Sequence, residues 1–242
     1  MSIEDITGAA ARPPNLPLRA DQLIGLARGF AWMSMGLLLT FMLLLGFLEW
    51  HLPPLGIPLP PSLAGSGLAL FGAILWWRAA EQQRPWRTHA RLATFLAALQ
   101  LYLAPFVLWW RHDLANLHLY LNSTALLACL PALGWVVARQ AESTGRMFGD
   151  HGLATEARFC RRALIGPVLW ITLLLMAYMS AIATGAPWPE PPAIALPGLV
   201  LPPWLAMAHL GSVLMTLSIG WRCTRACQHA LAQTAKQPLL TS

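Results

Sequence analysis

The polar residues best suited to chemistry are concentrated in one short segment, Trp109–Asn122, which has long apolar runs on both sides. Arg111, His112 and Asp113 are consecutive within it. An arginine donor next to a histidine that is oriented by a carboxylate is suited to binding an anion or a quinone headgroup. The alternative is a solvated hairpin in which these charges balance locally, so the sequence leaves two interpretations of this ligand-binding candidate.

Two histidines near the ends of apolar runs are candidates for binding a cofactor. His118 lies about one turn into one predicted span, and His209 lies about one and a half turns into another. At 1.5 Å per residue, both would be about 6–8 Å below the same membrane boundary. Neutral imidazoles bind haem iron, so the pair suggests haem b. The alternative is that each histidine hydrogen-bonds a nearby backbone carbonyl.

Catalytic motifs are missing from the sequence. It contains no HExxH zinc motif, no Walker lysine motif and no evident GxSxG serine turn. None of the apolar runs carries an acidic or basic residue within it, whereas proton-coupled carriers usually keep an ionisable group near mid-membrane. These absences favour a protein that is not an enzyme.

The four cysteines do not form a recognisable metal or disulfide pattern. Cys129, Cys160, Cys223 and Cys227 include no CxxC pair, and we expect reduced thiols. Cys223 and Cys227 share a helical face near His229, but a structural zinc site needs about four ligands. No metal site is predicted.

The elements that position these residues are membrane helices. The chain is 57% hydrophobic and 11% charged, whereas soluble domains carry about 25% charged residues. Runs of about 20 apolar residues span a bilayer. We therefore predict an all-α, polytopic membrane helix bundle with six transmembrane helices over residues 21–222. Its spans cover residues 29–48, 63–77, 92–110, 114–138, 163–183 and 204–221, with tails over 1–20 and 223–242.

Two segments outside the spans also carry helical patterns. Asp21–Phe30 is amphipathic and suits the membrane interface, and its Gly25 and Gly29 form a GxxxG spacing that can mark close helix packing. Residues 139–162 are predicted to be a polar loop, with a short surface helix over Leu153–Arg162.

The distribution of positive charge predicts the orientation. Of the 16 lysines and arginines, all but Arg111 fall on one side of the predicted spans. Because basic residues stay in the cytoplasm on insertion, both termini should be cytoplasmic in a bacterial-type inner membrane. The net charge of +6 is then explained by topology, so nucleic acid is not expected as a partner.

Three functions fit these observations. The first is an integral membrane subunit or assembly partner that acts through helix packing and an outward-facing polar cluster, together with other subunits or a second copy of itself. The second is a redox anchor that binds haem or quinone through His118 and His209. The third is a permease subunit, because the six spans, cytoplasmic ends and leading interfacial helix resemble the layout of ABC-2-type export permeases, which implies a cytoplasmic ATPase partner.

Overall fold

The computed structural model describes residues 18–44, 62–80, 84–112, 116–170, 173 and 203–236. Every regular element in these residues is helical. The helices are α1 (Ala20–Leu44), α2 (Ser62–Ala79), α3 (Arg84–His112), α4 (Leu117–Phe148), α5 (His151–Ala163) and α6 (Pro203–Lys236). Residues 165–170 are helical as well. The predicted all-α class is therefore confirmed.

Three of the described helices are long and apolar enough to cross a membrane, which identifies a membrane protein. They cover Ala20–Met42, Trp86–Val107 and Leu117–Phe148, and they correspond to the first, third and fourth predicted spans. The second span corresponds to α2 and the sixth to the first part of α6. Most of the fifth span, over 163–183, lies outside the described residues.

Helices α1 and α2 form an antiparallel pair held together by glycines. A Cβ atom on Gly25 would lie 3.0 Å from the Cβ of Ala79, and one on Gly72 would lie 2.6 Å from the backbone nitrogen of Met33. Gly29 lies against the indole of Trp76, which is buried. The GxxxG prediction is thus confirmed as a packing interface, because only a residue without a side chain lets the backbones approach this closely.

The remaining helices extend this pair into a bundle. Helix α2 packs on α3, α3 on α4, and α6 on α1, α4 and α5. The hydroxyl of Thr224 in α6 donates a hydrogen bond to the carbonyl of Ala27 in α1, with 3.2 Å between the two oxygens. The beginning of α1 and the last part of α6 therefore lie at the same end of the bundle.

The predicted loop over residues 139–162 was wrong in its first half. Helix α4 continues to Phe148 and ends at Gly149, whose φ of 71° caps it in the left-handed conformation. The side chain of Asp150 then accepts a hydrogen bond from the backbone N–H of Leu153 at 2.8 Å and starts α5. The second half was predicted correctly as a short helix, which packs back along α4.

Two further helix boundaries differ from the prediction. Asp21–Phe30 is not a separate element but the first part of α1, and Leu26 and Phe30 within it are fully buried. Helix α6 continues past Trp221 to Lys236, with Cys223 and Cys227 buried. Both differences have one cause: the helix continues through polar residues because burial against neighbouring helices continues.

Candidate functional site

The polar turn, residues 111–118, connects α3 to α4. Arg111 and His112 lie in the last turn of α3, and His118 lies in the first turn of α4. Asp113 lies outside the described residues. Asn116 caps α4, where its side-chain oxygen accepts a hydrogen bond from the backbone N–H of Leu119 at 3.3 Å. The helix ends thus bring Arg111, His112 and His118 to one end of the bundle.

His118 is exposed and makes only local contacts. The side-chain nitrogen of Asn122 lies 3.2 Å from Nε2 of the imidazole and donates a hydrogen bond to the His118 carbonyl at 2.8 Å. The ring of Phe106 meets the imidazole edge-on, with 5.6 Å between the ring centroids. The imidazole therefore meets the side-chain amide of Asn122 rather than a backbone carbonyl, and both interpretations of His118 stay predictions.

The register between α4 and α6 sets the level of His209. A Cβ atom on Gly134 would lie 3.2 Å from the hydroxyl of Thr216, and both helices run away from the polar turn. Counting from this contact at 1.5 Å per residue, His209 is about 10 Å above Thr216, whereas His118 is about 24 Å above Gly134. A shared iron requires both imidazoles at one level. The register therefore gives the haem b hypothesis no support, and it stays a prediction.

The opposite end of the bundle contains an ionic cluster that the sequence analysis missed. The carboxylate of Glu142 in α4 is only 6% exposed and contacts three guanidinium groups, on Arg146, Arg158 and Arg161. Arg158 and Arg161 belong to α5, so the cluster ties α5 to the end of α4. A spacing of four residues between Glu142 and Arg146 was the available signal, but it was hidden by the assignment of this stretch to a loop.

A second set of ion pairs connects α5 to α6. The guanidinium of Arg222 contacts the carboxylates of Asp150, at 3.8 Å, and of Glu156. Together with the Glu142 cluster, these pairs join the ends of α4, α5 and α6 in one polar layer. Since Glu142 is shared by three arginines, this layer retains excess positive charge.

A hydrogen bond between buried side chains joins two helices in the middle of the bundle, Gln100 in α3 and Thr40 in α1. The amide nitrogen of Gln100 lies 3.1 Å from the hydroxyl of Thr40, which donates to the carbonyl of Gly36 at 2.8 Å. A nearby cavity between α1, α4 and α6 has room for about one water molecule.

The cysteines are buried, free thiols. Burial raises the pKa of Cys227 to about 12 and the pKa of Cys223 well above its ordinary value. His229 is exposed on the same helix. Among the described residues, no three His, Cys, Asp or Glu side chains are placed to share a metal ion.

No protein-family model, curated protein or solved structure matches this chain. The function is therefore inferred from the chain's own residues.

Proposed function

We propose that this protein is a multi-pass subunit or assembly partner of a membrane protein complex. In this proposal it crosses a bacterial-type inner membrane six times, with both termini in the cytosol and the polar turn outside. The observation that carries the proposal is an apolar face of α3 that the other described helices leave uncovered.

The uncovered face runs along the length of α3. Only 39% of the apolar stretch of α3 is buried, compared with 67% of the corresponding stretch of α4. The large residues Leu92, Phe95, Tyr102 and Trp109 are exposed along it, and the side chains of Phe95 and Tyr102 are 63% and 65% exposed. They are spaced three, seven and seven residues apart, which matches the seven-residue repeat by which helices pack into left-handed pairs. This favours a second transmembrane helix as the neighbour of α3.

Aromatic and basic residues at the other end support the proposed orientation. The guanidinium of Arg139 lies over the ring of Trp135, with 5.8 Å to the ring centroid, and that of Arg225 lies over Trp221 at 5.4 Å. Tryptophan prefers the membrane interface, and arginine accumulates on the cytoplasmic side. The helix ends beyond these pairs would then lie in the cytosol.

The experiment is site-specific photo-crosslinking in native membranes, followed by solubilisation in a mild detergent. A photoreactive residue at Phe95 or Tyr102 should capture a membrane partner or a second copy of the chain. The control position is Met35, which is 51% exposed but lies on α1. The 26.5 kDa chain should also migrate as part of a larger assembly on native gels.

The proposal would be contradicted if the chain migrates as a monomer and the α3 positions crosslink no more than the control on α1. Crosslinks to its own copy would identify a homo-oligomer. Crosslinks to a different membrane protein would identify the other subunit.

A further inference from the structure

The face of α5 that carries Arg162 continues into an apolar stripe. Helix α5 ends at Ala163 because Pro167 lacks the N–H that would bond the Ala163 carbonyl. The cap residue Leu164 keeps helical backbone angles, φ −70° and ψ −16°, so the helical phase passes into residues 165–170. At 100° per residue, one face then contains Phe159, Arg162, Gly166, Leu169 and Leu173.

The apolar members of this face are exposed. Phe159 is 64% exposed, and Leu169 and Leu173 are each 58% exposed. In a membrane protein, an exposed apolar stripe is covered either by a second helix, as proposed for α3, or by lipid acyl chains, and an arginine beside the stripe favours lipid. Arg162 is exposed and lies between Phe159 and the apolar residues Leu169 and Leu173 on this face, which is the position of a headgroup.

The charge at this point is strongly positive. The buried carboxylate of Glu142 neutralises only one of its three arginine partners, which leaves two positive charges in the cluster. Arg162 adds a third. The carboxylates of Asp150 and Glu156 contact Arg222 in α6, so these five arginines and three carboxylates have a net charge of +2. Among the described residues, the exposed face of α5 that carries Arg158 and Arg162 is therefore complementary to an anion.

The depth of the cluster also fits a headgroup. Glu142 is four residues beyond residue 138, where the fourth span is predicted to end, so it lies about 6 Å beyond the hydrocarbon core. The headgroup region is about 5–7 Å thick on each side of a bilayer. Arg158, paired with Glu142 at 3.2 Å, is held at this level.

We propose that the exposed face of α5 binds the phosphate of an anionic phospholipid. Arg158 and Arg162 donate to the phosphate, and the acyl chains lie along Leu169 and Leu173. Glu142 is a positioning residue, because it fixes the direction of Arg158 and Arg161 without touching the lipid. A free phosphate would leave the apolar stripe unused, and a cytosolic protein could not follow the stripe into the membrane. The inference rests on the membrane embedding in the proposed function, but not on the existence of a protein partner.

The test is native mass spectrometry of the full chain, purified in detergent and delipidated, with lipid added back. Phosphatidylglycerol should bind more tightly than phosphatidylcholine. Arg162→Gln should weaken phosphatidylglycerol binding about fivefold, since one basic residue near an anionic surface contributes about 1 kcal/mol. Arg162→Lys should retain most of the binding. Arg87→Gln, an exposed arginine on α3, is the matched control and should have no effect.

Several results would overturn the inference. Equal binding of the two lipids, or unchanged binding in Arg162→Gln, would exclude a headgroup site here. Inorganic phosphate that binds with the same dependence on Arg162 would indicate a soluble anion as the ligand. Loss of a co-purifying protein, rather than of lipid, would indicate a protein contact.

The lipid site and the proposed function fail separately. Selective phosphatidylglycerol binding by a chain that is always monomeric would overturn only the proposed function. An intact membrane complex without lipid selectivity would overturn only the lipid site.

Discussion

Replacing Gly72 with alanine should push α1 and α2 apart. The added Cβ would lie 2.6 Å from the backbone nitrogen of Met33, 2.7 Å from its Cγ and 2.9 Å from the carbonyl oxygen of Gly29. Two of these three neighbours are backbone atoms and cannot move without moving α1. Gly67, on the same helix, is the matched control, because a Cβ there meets nothing within 4 Å.

The magnitude follows from two opposing effects. Alanine is favoured over glycine in a helix by about 1 kcal/mol, which applies equally to both positions. Overpacking a close contact costs about 1–3 kcal/mol, and the backbone clash at Gly72 suggests the upper part of this range. We therefore expect Gly72→Ala to be about 2 kcal/mol less stable than the wild type and Gly67→Ala to be about 1 kcal/mol more stable.

The assay is unfolding by increasing SDS in mixed micelles, followed by tryptophan fluorescence. Trp76 lies in the α1–α2 interface and is 1% exposed, so its emission should shift as the helices separate. The difference of about 3 kcal/mol between the variants is the informative quantity, since helix propensity cancels in it. Equal stability of Gly72→Ala and Gly67→Ala would refute the close approach of these helices.

Three further outcomes follow from the buried polar groups. Glu142→Gln should destabilise the chain by about 1–3 kcal/mol, because three partly exposed arginines lose the buried carboxylate that they share, whereas Glu156→Gln, at a half-exposed pair, should cost less than about 1 kcal/mol. Thermal unfolding in detergent compares the two. A double-mutant cycle of Thr40→Val and Gln100→Leu should give a coupling of about 0.6 kcal/mol, the typical value for hydrogen bonds between membrane helices, and a coupling of zero would exclude the contact. Cys227, with its pKa raised to about 12, should be about one ten-thousandth thiolate at pH 8. Alkylation of Cys227, measured by mass spectrometry, should be far slower in the folded protein than in SDS and should accelerate as the pH rises. Rapid labelling of the folded protein would contradict the burial of Cys227.

The sequence was most informative where contact with lipid and helix formation coincide. Apolar runs marked where α1, α3 and α4 lie, since a helix in lipid must present apolar residues. Apolar runs did not predict where the helices end. Residues 139–148 are polar, yet they remain helical because Glu142 finds its arginine partners and Leu153 of α5 covers the end of α4.

The candidate site was only partly predictable for a related reason. Sequence spacing placed His112 and His118 near one turn, and the structure brings them to the same end of the bundle. Sequence spacing could not predict the register between α4 and α6, which depends on contacts such as that of Gly134 with Thr216. Side-chain contacts between distant helices determine such registers, and hydropathy carries no information about them.

The most direct test of the account is the accessibility of two matched histidine positions in intact cells. His112→Cys, at the end of α3, and His151→Cys, at the start of α5, are compared by labelling with a membrane-impermeant maleimide. The four native cysteines are buried and give a low background. We predict rapid labelling at residue 112 from outside the cell, and labelling at residue 151 only after the membrane is opened. Labelling of residue 151 in intact cells, with residue 112 protected, would contradict the orientation and the membrane arrangement built on it.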